Sequence, residues 1–143
     1  MTLFFVLAGC TGQAVGTDPN VQGDDSGFED GEDQLPPTIE FEPLTDNQPS
    51  GEDVAIVATI VDDQSGVFIA SLYFRNETAS SKDWKSVGFV PDGGGGVYTA
   101  TISADEQRSG GMWYYLLARD GAQNESVSPA QGSDQPYHFG YSD

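Results

Sequence analysis

The chain has 143 residues, 37% of them apolar and 11% aromatic, enough to bury one core of ordinary size and therefore to build one folded domain. Asp and Glu number 23 against 5 Lys and Arg, a formal net charge of -18. That balance excludes a nucleic-acid binder, which must neutralise phosphates, and it repels anionic lipid headgroups; cationic partners, divalent cations or a merely hydrated acidic surface fit it.

The first apolar run, LFFVL from Leu3 to Leu7, leads through Ala8 and Gly9 to Cys10, the only cysteine. The run is far shorter than the roughly 20 residues that cross a bilayer, and the Gly-rich acidic sequence after it offers a strand no partner. Leu7-Ala8-Gly9-Cys10 resembles the lipobox of bacterial lipoproteins, an apolar residue and two small ones ahead of a cysteine. The resemblance implies that residues 1–9 are a signal segment, that the Cys10 thiol receives diacylglycerol, and that cleavage leaves Cys10 as the acylated, palmitate-bearing N-terminus held in a membrane. Small side chains beside the cut admit a peptidase, and a thiol is the strongest nucleophile the chain offers for alkylation. Thr11 in place of Asp after the cysteine resembles lipoproteins sent on to an outer membrane. No Lys or Arg precedes the run, so the true start is expected upstream of Met1. With its one thiol on lipid the chain has no disulfide, and packing alone must hold the fold.

Residues 10–36 are expected to form a disordered tether. Between Thr11 and Pro37 lie seven acidic residues (Asp18, Asp24, Asp25, Glu29, Asp30, Glu32 and Asp33), no basic ones, and Phe28 as the only aromatic. So few hydrophobes cannot offset the entropy of ordering, and carboxylate repulsion extends such a segment. The stretch GDDSGFEDGED does not match the spacing of a calcium loop.

From residue 37 to 143 the pattern is that of one β domain. Apolar runs recur at residues 38–43, 53–62, 67–75, 84–90, 97–102, 112–119 and 136–141, rich in Val, Ile, Thr, Tyr and Phe and separated by turn residues. None has helical spacing, and strict alternation is clearest over Ala55–Val61 and Tyr98–Ile102. Seven strands and no helix predict an all-β fold, a two-sheet sandwich. The glycines Gly93 to Gly96 lack the Lys and Ser/Thr of a phosphate loop and are expected to form a flexible turn.

The order DDQSGV (62–67), LYFR (72–75), Trp84, GVYTATI (96–102) and WYYLLARDGAQN (113–124) resembles the immunoglobulin-like and fibronectin type III-like modules of bacterial cell-surface proteins. What the resemblance implies is a seven-stranded sandwich with the strands over 67–75 and 112–119 side by side. Met112, Tyr114, Leu116 and Ala118 would then face the core with Ala70, Leu72 and Phe74. Tyr73, Trp113 and Tyr115 would share the outer face. Such an aromatic strip suits sugar faces or a protein partner; alternatively the rings cover their cross-strand neighbours and pack under the Trp84 segment. The same topology gathers Asp62, Asp63, Asp92, Asp120 and Asn124, with Glu125, at one end. Those oxygens are what Ca²⁺ takes as ligands, and equally the turn residues that cap their own backbone.

Catalysis has little support. The sole histidine, His138, stands between Tyr137 and Phe139 in the last run, without a nucleophile elbow or a zinc-binding helix. The sequence therefore points to a non-catalytic module, lipid-anchored in the cell envelope, that binds or spaces as an adhesive or accessory domain. Its partner would be a surface protein or a polysaccharide. A carbohydrate-binding module using the aromatic strip and a calcium-dependent interaction domain are the alternatives.

Overall fold

A computed structural model describes residues 32–142. Cys10 and most of the acidic segment therefore lie outside the described residues. The chain divides into two units, Met1–Gln34 and Leu35–Asp143. In the first, Gln34 Nε2 donates to Glu32 Oε1 at 3.4 Å.

The second unit is all β, in two sheets. Its strands are β1 (Thr38–Glu40), β2 (Gln48–Pro49), β3 (Val54–Val61), β4 (Val67–Asn76), β5 (Lys85–Gly88), β6 (Val90–Pro91), β7 (Val97–Ile102), β8 (Gly111–Asp120), β9 (Glu125–Ser128) and β10 (Tyr137–Ser142). Short 3-10 turns at Ala104–Glu106 and Gly132–Asp134 complete it. Among the described residues no helix is long and apolar enough to cross a membrane.

Alternation decides which face of each strand is buried. Along β3, Val54, Ile56, Ala58 and Ile60 are buried while Ala55, Val57 and Val61 are exposed. Along β8, Met112, Tyr114, Leu116 and Ala118 are buried and Trp113, Tyr115, Leu117 and Arg119 only half so. Leu72 and Phe74 of β4, Ala100 and Ile102 of β7, Phe89 and Phe139 complete the buried core, with Ala70 packed against it. Each large apolar side chain enclosed this way contributes about 1.5–3 kcal/mol.

The smaller sheet runs β1-β3-β7-β6 and the larger β2-β10-β8-β4-β5. All seven apolar runs carry strands, but the described residues hold ten strands. The 84–90 run is split: β5 pairs with β4 in the larger sheet, whereas β6 pairs with β7 in the smaller. Buried Phe89, whose N–H donates to Ala70 O at 2.9 Å, marks the crossing. β9 pairs with the C-terminal half of β8 and β10 with its N-terminal half, so one edge of β8 is served by two strands. β2 is a two-residue parallel partner of β10.

The turn after β6 is built on its four glycines. Gly93, Gly94, Gly95 and Gly96 all have positive φ, at 90°, 127°, 65° and 81°, a run of conformations that side-chain-bearing residues rarely adopt.

Candidate functional site

The register of the larger sheet sets the outer face. Tyr73 of β4 lies opposite Tyr115 of β8, Arg75 opposite Trp113, and Trp113 opposite His138 of β10. Side chains two apart along a strand share a face, so these residues form two adjacent rows. All of them are half-buried.

In the first row the Tyr73 and Tyr115 rings are stacked, 4.9 Å apart and 5° from parallel. Trp84, just ahead of β5, sets its ring edge-on to Tyr115 at 4.9 Å. Burial and then the neighbouring Tyr73 hold the Tyr115 hydroxyl above the usual tyrosine range. In the second row the Arg75 guanidinium carbon lies 4.9 Å from the centre of the Trp84 ring, a cation–π contact. The Trp113 and His138 rings are 4.4 Å apart, and His138 Nε2 donates to Glu77 Oε2 at 2.8 Å. The predicted strip thus takes two parts: Tyr73 and Tyr115 pack on each other beneath the edge of Trp84, whereas Trp113 is paired with His138. Beside Tyr115 the surface dips into a hollow of ≈ 230 Å³, lined also by Leu117, Val127 and residues 130–133.

At one end of the sandwich, Asp62 and Asp120 are brought together, with carboxylate oxygens within 4.8 Å. Asp62 Oδ2 accepts from the N–H groups of Gln64 at 3.2 Å and Gly66 at 2.6 Å. Asp120, fully buried, accepts at Oδ1 from Ala122 N–H and Asn124 N–H, each at 2.8 Å, and at Oδ2 from Asn124 Nδ2 at 2.8 Å. The two loops are tied together by Gly121 N–H donating to Gly66 O at 3.0 Å. Asp92 stands apart from this pair, accepting from the Thr99 hydroxyl at 2.9 Å, and Asp63 is exposed. Asp62, Asp120 and Asn124 offer oxygens of the kind Ca²⁺ takes, but the N–H donors already account for where both carboxylates sit.

The opposite end, where β4 finishes and β8 begins, holds a cavity of ≈ 230 Å³ lined by Phe74, Arg75, Asn76, Ala79, Ser81, Asp83, Lys85, Glu106 and Arg108. Three of the chain's 5 cationic side chains line it. No local signature marked these residues; the scarcity of cations was the signal, since in so acidic a chain a cluster of the few that occur is informative.

No family model matches the chain, and no curated protein matches it.

Proposed function

We propose that the chain is a lipid-anchored, non-catalytic binding module of the cell envelope, an immunoglobulin-like sandwich that holds a polysaccharide against the outer face of its larger sheet. One observation carries this reading: Tyr73, Tyr115, Trp84 and Trp113 stand in or beside two registered rows on one sheet face, each half-buried rather than enclosed. Rigid aromatic rings give the apolar faces of sugars a large contact at low entropic cost. The hollow beside Tyr115 adds a step in which a ring can seat. The order β1-β3-β7 in one sheet and β10-β8-β4-β5 in the other supports the immunoglobulin-like assignment, because β3 and β7 then face the sheet formed by β4, β8 and β10. The anchor rests on the lipobox-like residues Leu7 to Cys10, and an outer-membrane destination on Thr11.

Two measurements test the two halves. On a glycan array the wild type should retain a subset of polysaccharides, and Trp113→Ala with Tyr115→Ala should lose them; retention by the double variant would overturn the face assignment. In cells, palmitate labelling should vanish on Cys10→Ser, and labelling that survives would overturn the anchor.

A further inference from the structure

The cavity at the β4–β8 end concentrates positive charge in a chain of net charge -18. Of its three cations, Lys85 is paired with Glu106. Arg75 and Arg108 have no carboxylate partner among the described residues. Arg75 Nη1 donates to Lys82 O at 3.3 Å, and Arg108 Nη1 to Asp105 O at 3.2 Å and Gln107 O at 2.9 Å. Lys82, a fourth cation, is thereby held next to the site.

A second observation is independent of charge. Among the described residues, three buried side-chain polar atoms lack a hydrogen-bond partner: Arg75 Nε, Asn76 Nδ2 and Tyr141 OH. The first two belong to residues lining this one cavity. Asn76 is 8% exposed, and its amide is fixed because Oδ1 accepts from Thr78 N–H at 3.0 Å and from the Thr78 hydroxyl at 2.6 Å. An orphaned buried donor costs about 1–3 kcal/mol; both atoms sit closed off in residues of this cavity's wall, so a small movement of that wall on binding would let an acceptor in the cavity satisfy them.

We propose that this cavity binds the carboxylate of a hexuronic acid residue in an acidic polysaccharide. The planar guanidinium groups of Arg75 and Arg108 match a carboxylate, to which Arg donates as a fork. Asp83, whose Oδ2 takes the Ser81 hydroxyl at 2.8 Å, and Glu106, paired with Lys85, would repel a simple anion, yet the remaining lone pairs of both carboxylates can accept from sugar hydroxyl groups. A ligand carrying one carboxylate and several hydroxyls satisfies both sets. Phe74 and Ala79 provide the apolar wall that sugar C–H groups need. The volume lies below the roughly 300–1,000 Å³ of pockets for drug-sized ligands, so it suits one sugar ring. Arg75 links this cavity to the aromatic face through Trp84, so a chain seated on the face can place one acidic residue in the cavity.

The proposal rests on the polysaccharide-binding reading, and its test separates the two. Galacturonate, glucuronate, galactose, glucose and N-acetylglutamate are titrated into the full chain by calorimetry, with nitrogen-detected NMR of side chains. The uronates should bind at least about tenfold more tightly than the neutral hexoses, as a charge-assisted hydrogen bond implies. The Arg75 Nε–H and Asn76 side-chain signals should shift, and Arg108→Gln should weaken uronate binding about tenfold or more. Arg108 is exposed and makes only local carbonyl contacts, so this variant folds even where Arg75→Met does not. Equal binding of uronates and neutral sugars, no binding of uronates, or N-acetylglutamate matching galacturonate would each overturn the proposal. Binding of neutral glycans that depends on Trp113 and Tyr115 would then leave the module reading standing; no glycan binding at all would remove both.

Discussion

The Tyr73 and Tyr115 rings lie 4.9 Å apart with their planes 5° from parallel, a cross-strand stack set by direct register between β4 and β8. A stack of this kind contributes about 0.5–1.5 kcal/mol beyond the area it buries. In a double-mutant cycle of Tyr73→Ala and Tyr115→Ala, urea unfolding should return a coupling energy of that size. A coupling near zero would mean that the two rings serve only as a surface for something else.

Tyr114 points the other way and solves a different problem. Its ring is fully buried, and its hydroxyl accepts from Leu44 N–H at 2.9 Å, so the segment between β1 and β2 is pinned to the core by one atom. Tyr114→Phe keeps the packing and strands that N–H, which should cost about 1–2 kcal/mol in urea unfolding.

The same burial gives a pH signature. Desolvation pushes the Tyr114 hydroxyl up from 10.0 to about 12, and the Tyr141 hydroxyl likewise to about 12. A group whose folded-state pKa is raised stabilises fully below its unfolded value, and that contribution is lost as pH rises through the folded one. Stability should therefore hold up to about pH 10 and fall between pH 10 and about 12. The fall should be shallower in Tyr114→Phe, read as the urea midpoint against pH.

How much of this was legible depends on whether a residue's role is written in its neighbours. Period-two alternation fixes the faces of β3 and β7, because in a half-wet sheet each inward residue must be apolar whatever it touches; β8 is apolar on both faces, and its facing followed from the resemblance. β9 escapes that rule. Its sequence, Glu125-Ser126-Val127-Ser128, has no apolar run, and it is a strand because β8 offers it a ladder and because the Ser126 hydroxyl donates to Pro37 O. The split between β5 and β6 was equally hidden, since only the sheet-to-sheet crossing at Phe89 tells the run's two halves apart.

The two candidate surfaces differ in the same way. Tyr73, Trp113 and Tyr115 could be placed on one face from strand parity together with the side-by-side strands that the resemblance implied. Arg75, Lys85 and Arg108 come from the end of β4, the start of β5 and the turn before β8. Nothing in their spacing brings them together, and only the fold makes their charges neighbours.

Asp120 is a structural acceptor whose removal should be felt. It receives three N–H groups, two from backbone and one from Asn124 Nδ2. Asp120→Ala removes the shorter acceptor of all three, although Ala122 N–H keeps Ser65 Oγ at 3.3 Å and Asn124 Nδ2 keeps Leu35 O at 3.5 Å, and it should cost about 1–3 kcal/mol, the range for unsatisfied buried groups. Asp120→Asn keeps the Oδ1 acceptor for Ala122 and Asn124 but turns a donor toward Asn124 Nδ2. Its cost should fall between the alanine variant and the wild type, measured by thermal and urea unfolding.

The glycine turn separates backbone strain from crowding. Gly95 has φ 65° with nothing within 4 Å of where a Cβ would sit, whereas at Gly96, with φ 81°, a Cβ would fall on Val61 Cγ1 and 3.2 Å from Ile60 O. Gly95→Ala therefore meets only the left-handed penalty, about 1–2 kcal/mol. Gly96→Ala meets that penalty and a collision with β3, whose Ile60 N–H donates to Gly96 O at 2.8 Å, so it should destabilise more than Gly95→Ala. Adding Val61→Ala to Gly96→Ala should restore part of the difference, because the collision is with that side chain; Val61→Ala alone should change little, since Val61 is exposed. Equal losses in Gly95→Ala and Gly96→Ala, with no recovery in the double variant, would show that the turn and β3 are not in contact in solution.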